Sequence, residues 1–153
     1  MSKGKVATLA VVLLAMPVVA VYEGTSLTTY QDPVGIPTVC MGETDRDLTI
    51  RERFTLAECQ VVMGASLYKH ASELDRCITR PVEPYEAAAL LSIVYNVGVS
   101  ALCKSTMVKQ INAGEPGSVW CQQFDRWVYA KGIKLRGLVK RREAEKALCL
   151  GKG

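Results

Sequence analysis

Two acids and a hydroxyl in one short stretch are the residues best suited to chemistry. Glu23, Asp32 and Thr38 lie in Glu23-Gly24-Thr25-Ser26-Leu27-Thr28-Thr29-Tyr30-Gln31-Asp32-Pro33-Val34-Gly35-Ile36-Pro37-Thr38. One carboxyl, kept protonated, can donate to a leaving group while a second, ionised one activates a water. The same pair also reads as a helix-end Glu and a turn Asp with no chemistry, so what positions the two acids must decide. Schemes built on a nucleophile and a histidine have only His70 to use, and it lies on the apolar stripe of a helix, away from any Ser or Cys elbow. No Gly-rich phosphate loop is present, and the spacing of Cys and His offers no zinc set. The sequence therefore calls for no metal and no cofactor.

The elements around these acids follow from pattern. Lys3 and Lys5 precede residues 6 to 22, which carry no charge and contain Pro17. As a helix that run spans about 26 Å, slightly short of a bilayer core, and the preceding lysines orient the rest of the chain outward. It fits a signal peptide cleaved after Val18-Val19-Ala20, a permanent anchor, or an anchor that later leaves the bilayer. Leu27 to Tyr30 and Ile36 to Cys40 flank turn residues and predict a small hairpin, edge-like because of Pro37. Thr55-Leu56-Ala57-Glu58 is a capping box. Behind it, Leu56, Cys59, Met63, Leu67, His70, Leu74 and Cys77 recur at steps of three and four, which predicts a long helix over about 55–77. Further helices are expected over 85–97, from Ser105 or Thr106 to 112, from 115 through Trp120, Phe124 and Trp127, and over 137–150. A hairpin followed by helices makes the chain α+β and predominantly helical.

Six cysteines in 153 residues point to an oxidising compartment and three disulfides. Cys59 and Cys77 on one helix would be about 27 Å apart, too far to bond. Cys103 and Cys121 are equidistant from the turn at Asn112, so they form the first expected pair; Cys40–Cys59 and Cys77–Cys149 complete the set. Lys131, Lys134, Arg136, Lys140, Arg141, Arg142 and Lys146 outnumber Glu143 and Glu145 near the end of the chain. That stretch reads as a solvated face or a surface for an acidic partner. It lacks the interleaved aromatics of single-stranded nucleic-acid binding, so no nucleic-acid partner is expected.

Glu23-Gly24, then Tyr30-x-Asp32-x-x-Gly35-x-x-Thr38, resembles the Glu–Asp–Thr signature of the phage lysozymes, glycoside hydrolase family 24. Ala87-Ala88-Ala89-Leu90-Leu91-Ser92 leading to Tyr95-Asn96-Val97-Gly98, Ile111-Asn112-x-Gly114, Phe124-x-x-Trp127 and Gly137 to Glu145 are also similar to that family. The resemblance implies a lysozyme-like two-lobed fold, with a small lobe over about 23–54, a helical lobe over about 55–153, and a long helix joining them. It implies hydrolysis of the β-1,4 bond between N-acetylmuramic acid and N-acetylglucosamine in peptidoglycan. Glu23 would protonate the leaving oxygen, Asp32 would act on water and Thr38 would hold it. An inverting enzyme of this kind is expected to set its carboxyls about 6.5–9.5 Å apart. Arg141 or Arg142 would be a charge partner for Glu23, and Asn96 would face the cleft.

Residues 1–22 then resemble the signal-anchor-release segments of some such endolysins: engaged by the secretion machinery, held in the host inner membrane facing the periplasm, then released as a monomer. The absence of Cys from residues 1–22 points to a conformational trigger rather than disulfide exchange. One departure is Met41-Gly42-Glu43-Thr44, where many members carry His after the Gly. The competing readings are a lytic transglycosylase and a non-catalytic, membrane-tethered wall-binding module.

Overall fold

The computed structural model describes residues 6–152; Lys3 and Lys5 lie outside the described residues. The chain begins with α1 (Leu9–Glu23), N-capped by Thr8, whose hydroxyl accepts from the Val11 N–H. Pro17 lies inside it on the exposed side, and the helix runs through it rather than stopping there. Val11, Val12, Ala15 and Val19 form its buried face, while Leu9, Leu13, Leu14 and Val21 point outward. At 15 residues α1 is about 22 Å long. Among the described residues no helix is long and apolar enough to cross a membrane.

β1 (Ser26–Gln31) and β2 (Pro37–Cys40) form the expected antiparallel hairpin, with Tyr30 opposite Thr38 and an irregularity between Ser26 and Tyr30. A short α2 (Arg46–Thr49) completes the small lobe. The capping box forms at Thr55 and Glu58, with both reciprocal hydrogen bonds present, and starts α3 (Leu56–Leu74). That helix is the expected joining element, although it ends at Leu74 and the chain turns through Asp75 before Cys77.

The helical lobe is organised on α4 (Pro84–Val97), in which every residue from Ala87 to Val94 is buried. Pro at its first position fits a helix start, where its missing N–H is not needed. Around it pack α1, α3, α5 (Val99–Cys103) and α8 (Arg136–Cys149). α6 (Thr106–Asn112) starts at Ser105 as expected. Residues 115–127 do not make the single helix predicted: α7 (Gly117–Trp120) gives way to a 3-10 turn, Cys121–Arg126. A two-residue ribbon, β3 (Tyr129–Ala130) with β4 (Ile133–Lys134), leads into α8.

That break corrects two disulfides. Cys40–Cys59 forms, tying the hairpin to α3, but the partner of Cys103 is Cys77 and the partner of Cys121 is Cys149. Cys103–Cys121 and Cys77–Cys149 therefore do not occur. The equal-arm argument needed two long helices meeting at Asn112. Instead α5 ends beside the turn that follows α3, and the 3-10 turn packs on α8.

Candidate active site

Glu23 is the last residue of α1, and Gly24, with φ of +69°, turns the chain out of the helix into the hairpin. Its Oε1 accepts a hydrogen bond from Arg141 Nη1 at 2.6 Å. Arg141 is almost wholly buried, although it belongs to the most basic stretch of the sequence. The solvated-face expectation fails for Arg141 and Arg142, which both turn inward, whereas Lys146 stays partly exposed and pairs with Asp125 at 2.7 Å.

Two buried guanidiniums need compensation, and Glu145 supplies it. Its Oε1 accepts from Arg141 Nε at 3.1 Å and from Ser92 Oγ at 2.7 Å. Its Oε2 pairs with Arg142 Nε at 2.7 Å. Arg141 Nη2 donates to the Ser92 carbonyl at 3.1 Å, so each nitrogen of that guanidinium has its own acceptor. Burial pushes the Glu145 carboxyl above its ordinary value against the pull of both arginines, and burial likewise pulls Arg142 down. Arg142 is not the partner of Glu23: it pairs with Glu145 and reaches the Trp127 carbonyl. Ser92 and Glu145 were not singled out from sequence. The available signal was one polar residue inside an apolar helix, and an acid one helical turn after two arginines.

Asp32 sits in the hairpin turn. Its Oδ1 accepts from the N–H groups of Val34 and Ile36, both at 2.9 Å. The buried Thr38 hydroxyl donates to the Ile36 carbonyl at 2.9 Å, and the Asp32 N–H donates to the same carbonyl at 3.0 Å. Asp32 and Thr38 are thus brought together through Ile36, and Tyr30, opposite Thr38, lines a cavity of about 320 Å³ with Glu23 and Ser26. Asn96 is not gathered into this set; it is exposed on the last turn of α4 and its side chain makes no hydrogen bond among the described residues. His70 lies edge-on to Tyr95, with ring centroids 6.0 Å apart, in keeping with a packing histidine. Among the described residues no group of three or more His, Cys, Asp or Glu could hold a metal.

A hairpin lobe, a helical lobe and a helix-end carboxylate between them define a lysozyme-like protein. The fold matches an endolysin from Escherichia coli O157:H7 phage FAHEc1 with a TM-score of 0.82 at 24% identity, over 99% of this chain and 97% of the other. It matches the active form of the P1 phage endolysin Lyz at 0.73 and 23% identity, over 97% of each chain, against 0.51 and 21% for the secreted inactive form, over 95% and 96%. The phage lysozyme family model covers residues 20–145, and the chain belongs to that family. It is a peptidoglycan hydrolase. A SAR-endolysin of Escherichia phage Mu is 40% identical over 119 residues, 78% of this chain and 68% of that relative.

Proposed function

We propose that the protein cleaves the β-1,4 bond between N-acetylmuramic acid and N-acetylglucosamine by inverting hydrolysis, as a lysozyme serving host lysis. Glu23 protonates the glycosidic oxygen, Asp32 takes a proton from the attacking water, and Thr38 orients that water. The observation that carries this reading is the unlike setting of the two acids. Glu23 is fixed by a buried arginine, with its second oxygen left for substrate. Asp32 has one oxygen anchored in its turn, Oδ1, leaving the other for water. The Thr38 hydroxyl spends its proton on Ile36, so its lone pairs are available to a water.

Residues 1–22 serve as an exported, releasable anchor, and 23–153 as the catalytic domain. In this reading the folded chain is the released state. On leaving lipid, the Val11, Val12, Ala15 and Val19 face of α1 exchanges lipid for burial against α3 and α4, whereas Leu9, Leu13, Leu14 and Val21 become exposed. Relative to exposure in water, each buried valine contributes roughly 1.5 kcal/mol or more to holding α1 on the domain. While 6–22 remain in lipid, Glu23 is held at the interface away from Arg141 and the site is incomplete. The Mu relative's name and the greater likeness to the active P1 form support this reading.

Glu23→Gln in a turbidity assay on permeabilised cells tests the chemistry. Activity is expected to fall by a factor of about 10³; parental activity would remove Glu23 from the mechanism. Sequencing the mature N-terminus in cell fractions before and after depolarisation tests release. Intact protein moving from membrane to periplasm is the expected result, and a chain beginning at Val21 would overturn it.

A further inference from the structure

The loop over residues 39–43 is built more rigidly than a connection between a hairpin and a short helix requires. Val39 and Glu43 exchange both backbone hydrogen bonds, each at 2.9 Å. Two residues inside the loop take left-handed conformations, Cys40 at φ +58° and Gly42 at φ +81°. The Cys40 sulfur is bonded to Cys59 on α3, and Met41 is buried. Gly42 faces Glu23: a Cβ added there would lie 3.2 Å from Glu23 Oε2, the oxygen that Arg141 does not hold. A side chain at this position would take up the space beside that oxygen.

Tyr95, on α4, grips the loop on both sides of Gly42. Its hydroxyl lies 2.5 Å from the Met41 carbonyl and 2.8 Å from Glu43 Oε1. Burial first, then the Glu43 charge and hydrogen bond, then the charge of Glu23, push the phenol well above the usual tyrosine range, so it remains a donor. One turn earlier on α4, the Ser92 carbonyl holds Arg141. One helix therefore holds Oε1 of Glu23 through Ser92 and Arg141, and holds through Tyr95 the loop whose Gly42 leaves room beside Oε2. Glu43, within the loop, has Tyr95 as its partner.

We infer that Tyr95, with Glu43, is a positioning residue for the Glu23 carboxyl, fixing the loop that borders its free oxygen. The inference rests on Glu23 being the proton donor. Full-length, oxidised protein is assayed on soluble peptidoglycan fragments for kcat and KM, with circular dichroism confirming the folded fraction of every variant. Tyr95→Phe is expected to lower kcat about tenfold with KM changed less than about twofold, because displacement of the acid weakens the chemical step rather than binding. Glu43→Ala should cause a similar loss. Glu43→Gln, which keeps an acceptor oxygen, should recover most of it.

Parental kcat in Tyr95→Phe would overturn the inference, as would a loss shared equally by every variant at position 43 or one that merely follows the unfolded fraction. Glu23→Gln runs alongside. If it is inactive while Tyr95→Phe keeps parental kcat, the positioning role alone fails. If it is active, the assignment of Glu23 fails and takes the positioning role with it.

Discussion

Glu23 and Asp32 flank one hairpin strand, yet the chain holds them by opposite means. Glu23 depends on groups far away in sequence: Arg141, and through it Ser92 and Glu145. Asp32 depends on its own turn, where Oδ1 accepts from two N–H groups within four residues. The first carboxylate is in place only when α1, α4 and α8 have packed together. The second is in place once the hairpin closes. The hairpin can therefore hold Asp32 before Glu23 has gained its arginine.

The largest expected effect comes from breaking the long-range side. Arg141→Met leaves Glu145 buried with one guanidinium fewer and removes the only ion pair of Glu23 among the described residues. Urea unfolding should show a loss of about 3–5 kcal/mol together with a severe loss of turnover. Replacing Cys121 and Cys149 by Ser removes a link spanning 28 residues and loosens α8, which carries Arg141. A loss of about 3 kcal/mol is expected in the same measurement. Asp32→Asn keeps an acceptor oxygen for the turn, so stability should stay within about 0.5 kcal/mol while activity falls about a hundredfold. A large stability loss there would erase the contrast between the two acids.

The smallest effect lies at Glu58, whose partners are Arg51 and Thr55 rather than either acid. The hydrogen bond from Arg51, and then that from the Thr55 N–H, hold its carboxyl below the ordinary value of 4.5. A lowered carboxyl stabilises the fold above the unfolded value, and the benefit is lost as pH falls through the folded one. Glu58→Gln keeps the capping box and loses the Arg51 pair, so its melting temperature should sit slightly below the parent's at neutral pH. The two should converge as acid protonates Glu58.

What was legible in the sequence matches the local side of this comparison. The hairpin, the Thr55–Glu58 capping box and the helix over Pro84–Val97 are written in turn residues, caps and periodicity. Asp32 inherits its position from them. The long-range side was only partly legible. A run of basic residues near the end of a chain gives no local sign that Arg141 and Arg142 point inward, because Ser92 and Glu145 compensate them only after α4 and α8 meet. The disulfides divide the same way. Cys40–Cys59 joins elements whose order is fixed by the hairpin, whereas Cys77–Cys103 and Cys121–Cys149 depend on where helices end. Periodicity resolves such ends poorly, as the 3-10 turn at Cys121 shows.

The central claim, that Glu23 donates a proton while Asp32 delivers water, is tested most directly by digesting peptidoglycan in ¹⁸O-labelled water and weighing the released muropeptides. Hydrolysis predicts reducing N-acetylmuramic acid ends carrying one ¹⁸O for each bond cleaved, formed as the inverted anomer at early times. Products ending in 1,6-anhydro-N-acetylmuramic acid without the label would contradict it.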